Sequence, residues 1–262
     1  MVHSGQRELC VRGSAIEFRL RMLIMAVLIF LGFWAPWIDS ASRSLSFAER
    51  IPVLEWLPLE LSRLGLLSFA TATPVVIVCG ALVAGLGAVL RVWGSAYLGT
   101  ATVQNRQMLA GAVMADGPYR YVRNPLYIGS WCMIAAIALL MPPTGALFCM
   151  VLVAVFLLRL ILGEESFLAG QLGEPYLKYK RAVPRLIPRL RSNLPASGSR
   201  PRWLRAALTE LTAIGVFFTV AVLSWSYDNR LMGRAILISF GASLVSRAVW
   251  SGDSTGRQSP AE

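Results

Sequence analysis

The chain reads Asp116-Gly117-Pro118-Tyr119-Arg120-Tyr121-Val122-Arg123-Asn124-Pro125-Leu126-Tyr127-Ile128-Gly129 before entering an apolar stretch. It leaves that stretch as Glu164-Glu165 and continues to Gly173-Glu174-Pro175-Tyr176-x-x-Tyr179 and Val183-Pro184-Arg185. In between, residues 126–141 and 145–163 are both apolar and almost uncharged, joined by Pro142-Pro143. Two consecutive apolar helices with a proline turn can only return to the membrane face they started from. This reading predicts that the Arg123 end and the Glu164-Glu165 end meet at one face. A charged cluster built there from two distant segments is the strongest candidate for a working site.

Working outward, 56% of the 262 residues are hydrophobic and only 15% are charged, which describes an integral membrane protein rather than a soluble domain. The net charge of +11 comes from basic residues between the apolar runs, not from one amphipathic surface. They read as topology signals and contacts to anionic lipid, and nucleic acid is not a partner. Cys10, Cys79, Cys132 and Cys149 show no C-x-x-C spacing, so neither a disulfide framework nor a metal site is expected. His3 is the only histidine, which removes histidine from any catalytic or metal-binding scheme.

Residues 1–21 carry Arg7, Arg12, Arg19 and Arg21 and are assigned to the cytoplasm. A first span covers residues 22–37; Ser40-Ala41-Ser42 keeps a cleaved signal peptide as the alternative. Residues 39–63 form an external loop with an interfacial segment. No charge occurs from Leu64 to Leu90, a run longer than the ~20 residues that cross the hydrocarbon. Pro74 is expected to divide it, leaving residues 73–93 as the span. Gly80, Ala81, Ala84, Gly85, Gly87 and Ala88 permit close helix approach, with backbone access for a cofactor at Gly85-Leu86-Gly87 as the alternative. Residues 94–123 return to the cytoplasm, and residues 164–205, with nine basic residues, give the strongest positive-inside signal. After a linker at residues 195–201, two weaker spans cover 204–225 and 231–250. Glu210 is poorly placed in the first of them, and a polar tail follows. The expected fold is all-α, a polytopic helical membrane protein of about six transmembrane helices with both termini cytoplasmic. No internal repeat or period-2 strand pattern appears.

Asn124 and Pro125 fit the N-cap and first position of the third span. Glu164-Glu165 is less easily explained. Two carboxylates end an apolar helix where basic residues are favoured and where the helix dipole opposes negative charge. Arginines or a cationic ligand must offset them. Carboxylates beside arginines and tyrosines suit a zwitterionic ligand with hydroxyls. Arginine forks hold its carboxylate, glutamates accept from ammonium or ribose, and aromatic faces hold a base or a sulfonium. S-adenosylmethionine has all of these groups, as do other amphiphilic cations in part.

The ordered set Gly117-Pro118-Tyr119-Arg120-Tyr121-Val122-Arg123-Asn124-Pro125-x-Tyr127-x-Gly129, Glu164-Glu165 and Gly173-x-x-Tyr176-x-x-Tyr179, preceded by Arg91-x-Trp93 and Leu98-Gly99, resembles the isoprenylcysteine carboxyl methyltransferase and phospholipid methyltransferase superfamily. The resemblance covers roughly residues 88–188. It implies an integral membrane enzyme that holds S-adenosylmethionine among helices and cytoplasmic segments, with no Rossmann domain. Residue by residue, Arg123 and Pro125 match the family's Arg-His-Pro motif, Tyr127 follows it, and Glu164 and Glu165 match its cofactor-binding glutamates. Asn124 stands in the place of the usual histidine and cannot carry a proton or positive charge. The implied cofactor-binding residues are Gly117, Tyr119, Arg123, Asn124, Pro125, Tyr127, Glu164 and Glu165. Arg123, Asn124 and Arg159 are the catalytic candidates. On this division residues 1–87 hold the N-terminal spans, 88–190 the methyltransferase core, and 191–262 the linker, C-terminal spans and tail.

Methyl transfer is an in-line displacement in which the protein aligns donor and acceptor and excludes water. A carboxylate acceptor needs no base, and Arg159 could hold it. An amine or thiol must lose a proton, to Glu164, Glu165, Tyr127 or a nearby tyrosine. A lipophilic or small membrane-partitioning acceptor is expected in either case. The rival reading is a non-catalytic transporter or scaffold that kept the fold, motivated by Asn124.

Overall fold

The computed structural model describes residues 15–34, 50–104, 116–192, 194–195 and 198–252. His3, Cys10, residues 39–49 of the expected external loop and the polar tail beyond residue 252 lie outside the described residues. The described residues form helices and no strand. In chain order these are α1 (Ala15–Arg19), α2 (Arg21–Trp34), α3 (Val53–Arg63), α4 (Phe69–Gln104), a tight 3-10 turn (Gly117–Arg120), α5 (Pro125–Ala138), α6 (Pro143–Leu172), α7 (Glu174–Ala182), α8 (Trp203–Thr209), α9 (Leu211–Phe218, continuing to Ser226) and α10 (Asn229–Gly252).

Three of these are long and apolar enough to cross a membrane: α4, α6 and α10. A fourth is added if α8 and α9 count as one broken span, bent by 69°. The chain is an integral membrane protein with three or four helices of spanning length, and the other two of the six expected spans fall on shorter apolar helices, α2 and α5. α2 and α5 have 14 residues each, roughly 21 Å of helix against ~30 Å of hydrocarbon. Prolines set the limits of α5, with Pro125 at its first position and Pro142-Pro143 beyond its end.

Pro74 does not divide α4. The helix runs unbroken from Phe69, and Pro74 falls in its second turn. The run from residue 64 to 68 is instead a turn after α3 in which Gly65 has φ +69°. Gly87 fits against α5, where an added Cβ would lie 3.0 Å from the carbonyl oxygen of Gly129. Gly85 faces the ring of Phe217, 3.2 Å from such a Cβ. These glycines serve helix packing. Gly32 and Gly145 bring α2 and α6 into backbone contact in the same way.

The α5–α6 hairpin forms as predicted. Its far end is covered by α3, whose first N–H groups, from Val53 and Leu54, donate to the carbonyls of Met141 and Leu139, both at 2.9 Å. α6 then carries the chain back. Residue 164 lies roughly 32 Å along that helix from Pro143, about the hydrocarbon thickness, which puts the glutamate pair at the membrane edge. α6 ends at Gly173, whose φ of +60° suits a residue without Cβ.

The predicted span over residues 204–225 is broken. Glu210 sits at the break and is 5% exposed. Its carboxylate lies 2.6 Å from Arg91 and 3.5 Å from Arg247, and it accepts from the Ser95 hydroxyl at 2.8 Å. The carbonyl of Thr209 accepts from Ser243 at 2.8 Å and Arg247 at 2.9 Å. A charged side chain drawn to arginines on α4 and α10 therefore bends the helix, and donors on α10 satisfy a carbonyl that the break frees.

Candidate functional site

The site forms where the hairpin's two ends meet. Arg123 precedes α5 and Glu165 stands near the end of α6, with Arg123 Nε 3.3 Å from Glu165 Oε1. Arg123 is fixed from two other directions. Its backbone N–H donates to the Pro184 carbonyl at 2.9 Å, and its Nη1 donates to the Lys180 carbonyl at 2.8 Å. Its Nε is within ion-pair range of the carboxylate but not aligned as a hydrogen bond.

Glu165 is 3% exposed and is the convergence point of the site. Arg185 grips it as a fork, with Nη2 at 3.0 Å from Oε2 and Nε at 3.2 Å from Oε1. Lys180 Nζ is 4.0 Å away. Asn124 Nδ2 donates to Glu165 Oε1 and to the Arg185 carbonyl, each at 3.2 Å. The expected N-cap is thus corrected in part. Asn124 holds the N-cap position and Pro125 the first helical one, but the Asn124 side chain makes no cap bond. An amide can serve the carboxylate and the carbonyl together because its NH2 has two donors.

Glu164 faces elsewhere, since adjacent helical residues diverge by about 100°. It accepts from the Tyr127 hydroxyl at 2.8 Å and is half-buried. Tyr119 lies in the 3-10 turn; its carbonyl accepts from Tyr179 at 2.9 Å, while its own hydroxyl is buried with no hydrogen-bond partner in the structure. Burial and the nearby Tyr179 push the Tyr119 phenol well above its ordinary range. Burial, reinforced by Glu165, pushes Tyr176 up to about 12. The bond to Glu165 raises the Arg185 guanidinium further, so it stays charged. Gly117 has φ +55° and lies under the Tyr97 ring, where any Cβ would collide, so packing accounts for this glycine.

Arg159 stands apart from this group. It is bound to Glu17 of α1 at 2.9 Å, with both side chains partly exposed. Sequence reasoning gave Arg185 and Lys180 only as topology signals, although Val183-Pro184-Arg185 closes the stretch quoted first. The Arg91–Glu210 pair was also missed, despite the misplaced charge at Glu210. Among the described residues no group of three or more His, Cys, Asp or Glu side chains could hold a metal ion.

The site combines three cations, Arg123, Lys180 and Arg185, with two carboxylates that differ in availability. Glu165 is enclosed by its own chain, and Glu164 has one partner and partial exposure. One positive charge is left over, next to a carboxylate with free acceptor capacity and an unpartnered phenol. That donor and acceptor set fits a zwitterion carrying hydroxyls.

Residues 75–174 match the family model for phospholipid methyltransferase. A relative, the methanethiol S-methyltransferase of Crocosphaera subtropica, is 39% identical over 70 residues, which is 27% of this chain and 27% of the relative. The chain therefore matches about a quarter of that relative's length. No solved structure matches. The matched region holds the hairpin, Arg123 and the glutamate pair, so it is this central part of the chain that is similar to membrane methyltransferases.

Proposed function

We propose that this protein is an integral membrane methyltransferase that takes a methyl group from S-adenosylmethionine and passes it to a lipophilic or small membrane-partitioning acceptor. The observation that carries the reading is the meeting of Arg123 and Glu165 across the hairpin, 3.3 Å apart, beside a second, less enclosed carboxylate. Arg123 and Arg185 would take the carboxylate of the cofactor. Glu164 would accept from its ammonium or ribose, and Tyr119 would supply the buried hydroxyl. Gly117, Asn124, Pro125 and Tyr127 would hold the walls in place. When bound, the cofactor supplies an electrophilic methyl group on a sulfonium.

The superfamily includes carboxyl, amine and thiol acceptors, and the relative is named for a thiol. With a thiol acceptor, Glu164 is the carboxylate best placed to take the proton, because its bond to Tyr127 leaves other lone pairs open. With a carboxylate acceptor no base is required, and Arg159 would have to exchange Glu17 for the acceptor. Six passes, cytoplasmic termini, a site facing the cytoplasm and the division at residues 87 and 190 complete the proposal. The basic residues 178–205 at the site's face support that orientation.

Purified protein in detergent should bind S-adenosylmethionine, and Glu164→Ala should weaken that binding by about tenfold, the order expected for a lost charge-assisted bond. Labelled methyl groups offered with native membranes should appear in an extractable product. Absence of cofactor binding by the folded wild type would overturn the reading. Methyl transfer gained only on Asn124→His would favour a lapsed enzyme.

A further inference from the structure

Between α7 and α8 the described residues 183–192, 194–195 and 198–202 form a strap, and its inner side is pinned at several points. The Pro184 carbonyl accepts from Arg123 at 2.9 Å, the Arg189 N–H donates to Tyr121 at 3.1 Å, and the Arg202 N–H donates to Ala96 at 3.0 Å. The Leu194 carbonyl accepts from Arg120, and the Ser199 N–H donates to the Asp116 carboxylate at 3.1 Å. Of the linker expected at residues 195–201, the described part includes Ser199, which is held by Asp116. The outer side of the strap carries Ile187, 82% exposed, and Leu190, 98% exposed. A backbone held this firmly does not present large apolar side chains by chance of looseness, so they require a cover.

Charge identifies that cover. No acidic residue occurs between Glu174 and Glu210, whereas nine basic residues do. Arg181, Arg189 and Arg191, close to the two apolar residues in the chain, are exposed; Arg189 donates to the Ala182 carbonyl at 2.7 Å, and Arg181 has only the exposed Glu174 at 3.5 Å, a pair that solvent leaves weak. The strap also begins and ends at the membrane edge. It follows the end of α6 and leads into Trp203 and Leu204, which are 51% and 72% exposed. Basic side chains beside apolar ones at that depth match an anionic headgroup layer over acyl chains.

We propose that the strap docks on the anionic phospholipids of its own leaflet, with Ile187 and Leu190 entering the headgroup boundary and Arg181 and Arg191 meeting lipid phosphates. The same strap presents Arg185 to Glu165 and its Pro184 carbonyl to Arg123, so the lipid surface and the candidate site share one element. The docking does not depend on methyl transfer.

Hydrogen exchange of the strap amides, in full-length protein held in nanodiscs of phosphatidylcholine alone or with phosphatidylglycerol, tests this. Exchange over residues 185–192 should slow several-fold with phosphatidylglycerol. An Ile187→Asn/Leu190→Asn variant and an Arg181→Gln/Arg191→Gln variant should each lose that slowing while melting like wild type in phosphatidylcholine. Equal exchange in the two lipids, or slowing that survives both variants, would overturn the proposal. Slowing seen only in native membranes would assign the face to a protein and also overturn it.

Discussion

Glu165 and Glu210 are both buried carboxylates, 3% and 5% exposed, and two arginines hold each of them. Their surroundings differ. The Glu165 arginines come from the segment before α5 and from the strap, and the Arg185 side chain is 38% exposed. Lys180 adds further positive charge, and Glu164 adds a carboxylate that is not enclosed. The Glu210 group joins α4, α5 and α10 through side chains that also bind Ser130 or the freed Thr209 carbonyl. It closes a broken helix. Burial and ion pairing alone therefore do not mark a site. What sets the proposed site apart is the second, accessible carboxylate of Glu164 beside it, whereas the Glu210 group, its donors committed to neighbouring helices, is a staple.

The largest effect expected is at Glu165. Glu165→Ala leaves Arg123 and Arg185 facing each other and should abolish S-adenosylmethionine binding, with a stability loss of about 3 kcal/mol. Pairing it with Arg185→Met should restore part of the melting temperature but none of the binding. Glu210→Ala should cost a similar ~3 kcal/mol, because Arg91 loses its buried partner, yet the folded fraction should still bind cofactor. Here Arg91→Met/Glu210→Met should recover stability. Equal loss of binding in the Glu165 and Glu210 variants would erase the distinction.

The two groups should also separate in alkali. The Tyr176 phenol beside Glu165 is raised from its ordinary 10 to about 12, so the native state favours its neutral form. Its contribution to stability is complete below pH 10 and is lost as pH rises toward 12. Tyr176→Phe should flatten that alkaline loss in pH-dependent melting. Tyr127→Phe, which removes one bond to Glu164, should weaken cofactor binding by roughly fivefold, near 1 kcal/mol. The smallest effect belongs to Glu17→Gln. The Arg159 pair is partly exposed, so the change in stability should stay under about 1 kcal/mol and shrink with salt.

The hairpin was legible because apolar length and the double proline act locally, and its closure forced Arg123 and Glu165 together. Arg185 was hidden among nine basic residues, since composition gives a charge the same weight whether it faces lipid or a carboxylate. The ion pair of Arg91 with Glu210 spans 119 positions, and no local pattern predicts a contact of that separation. Glu210 still signalled its abnormality as a carboxylate in an apolar run. Asn124 was read as a cap by residue type and position, but tertiary demand from Glu165 took its amide.

The N–H groups of Val53 and Leu54 occupy carbonyls at the far turn of the hairpin. Synthesis runs from the N-terminus, so α3 leaves the ribosome well before residues 139 and 141 and is already waiting when the hairpin inserts. Moving α3 to the C-terminus by circular permutation would reverse that order. The hairpin would then have to emerge into the bilayer with its turn uncovered, and the yield of correctly inserted protein would measure how far early supply of the cover guides biogenesis.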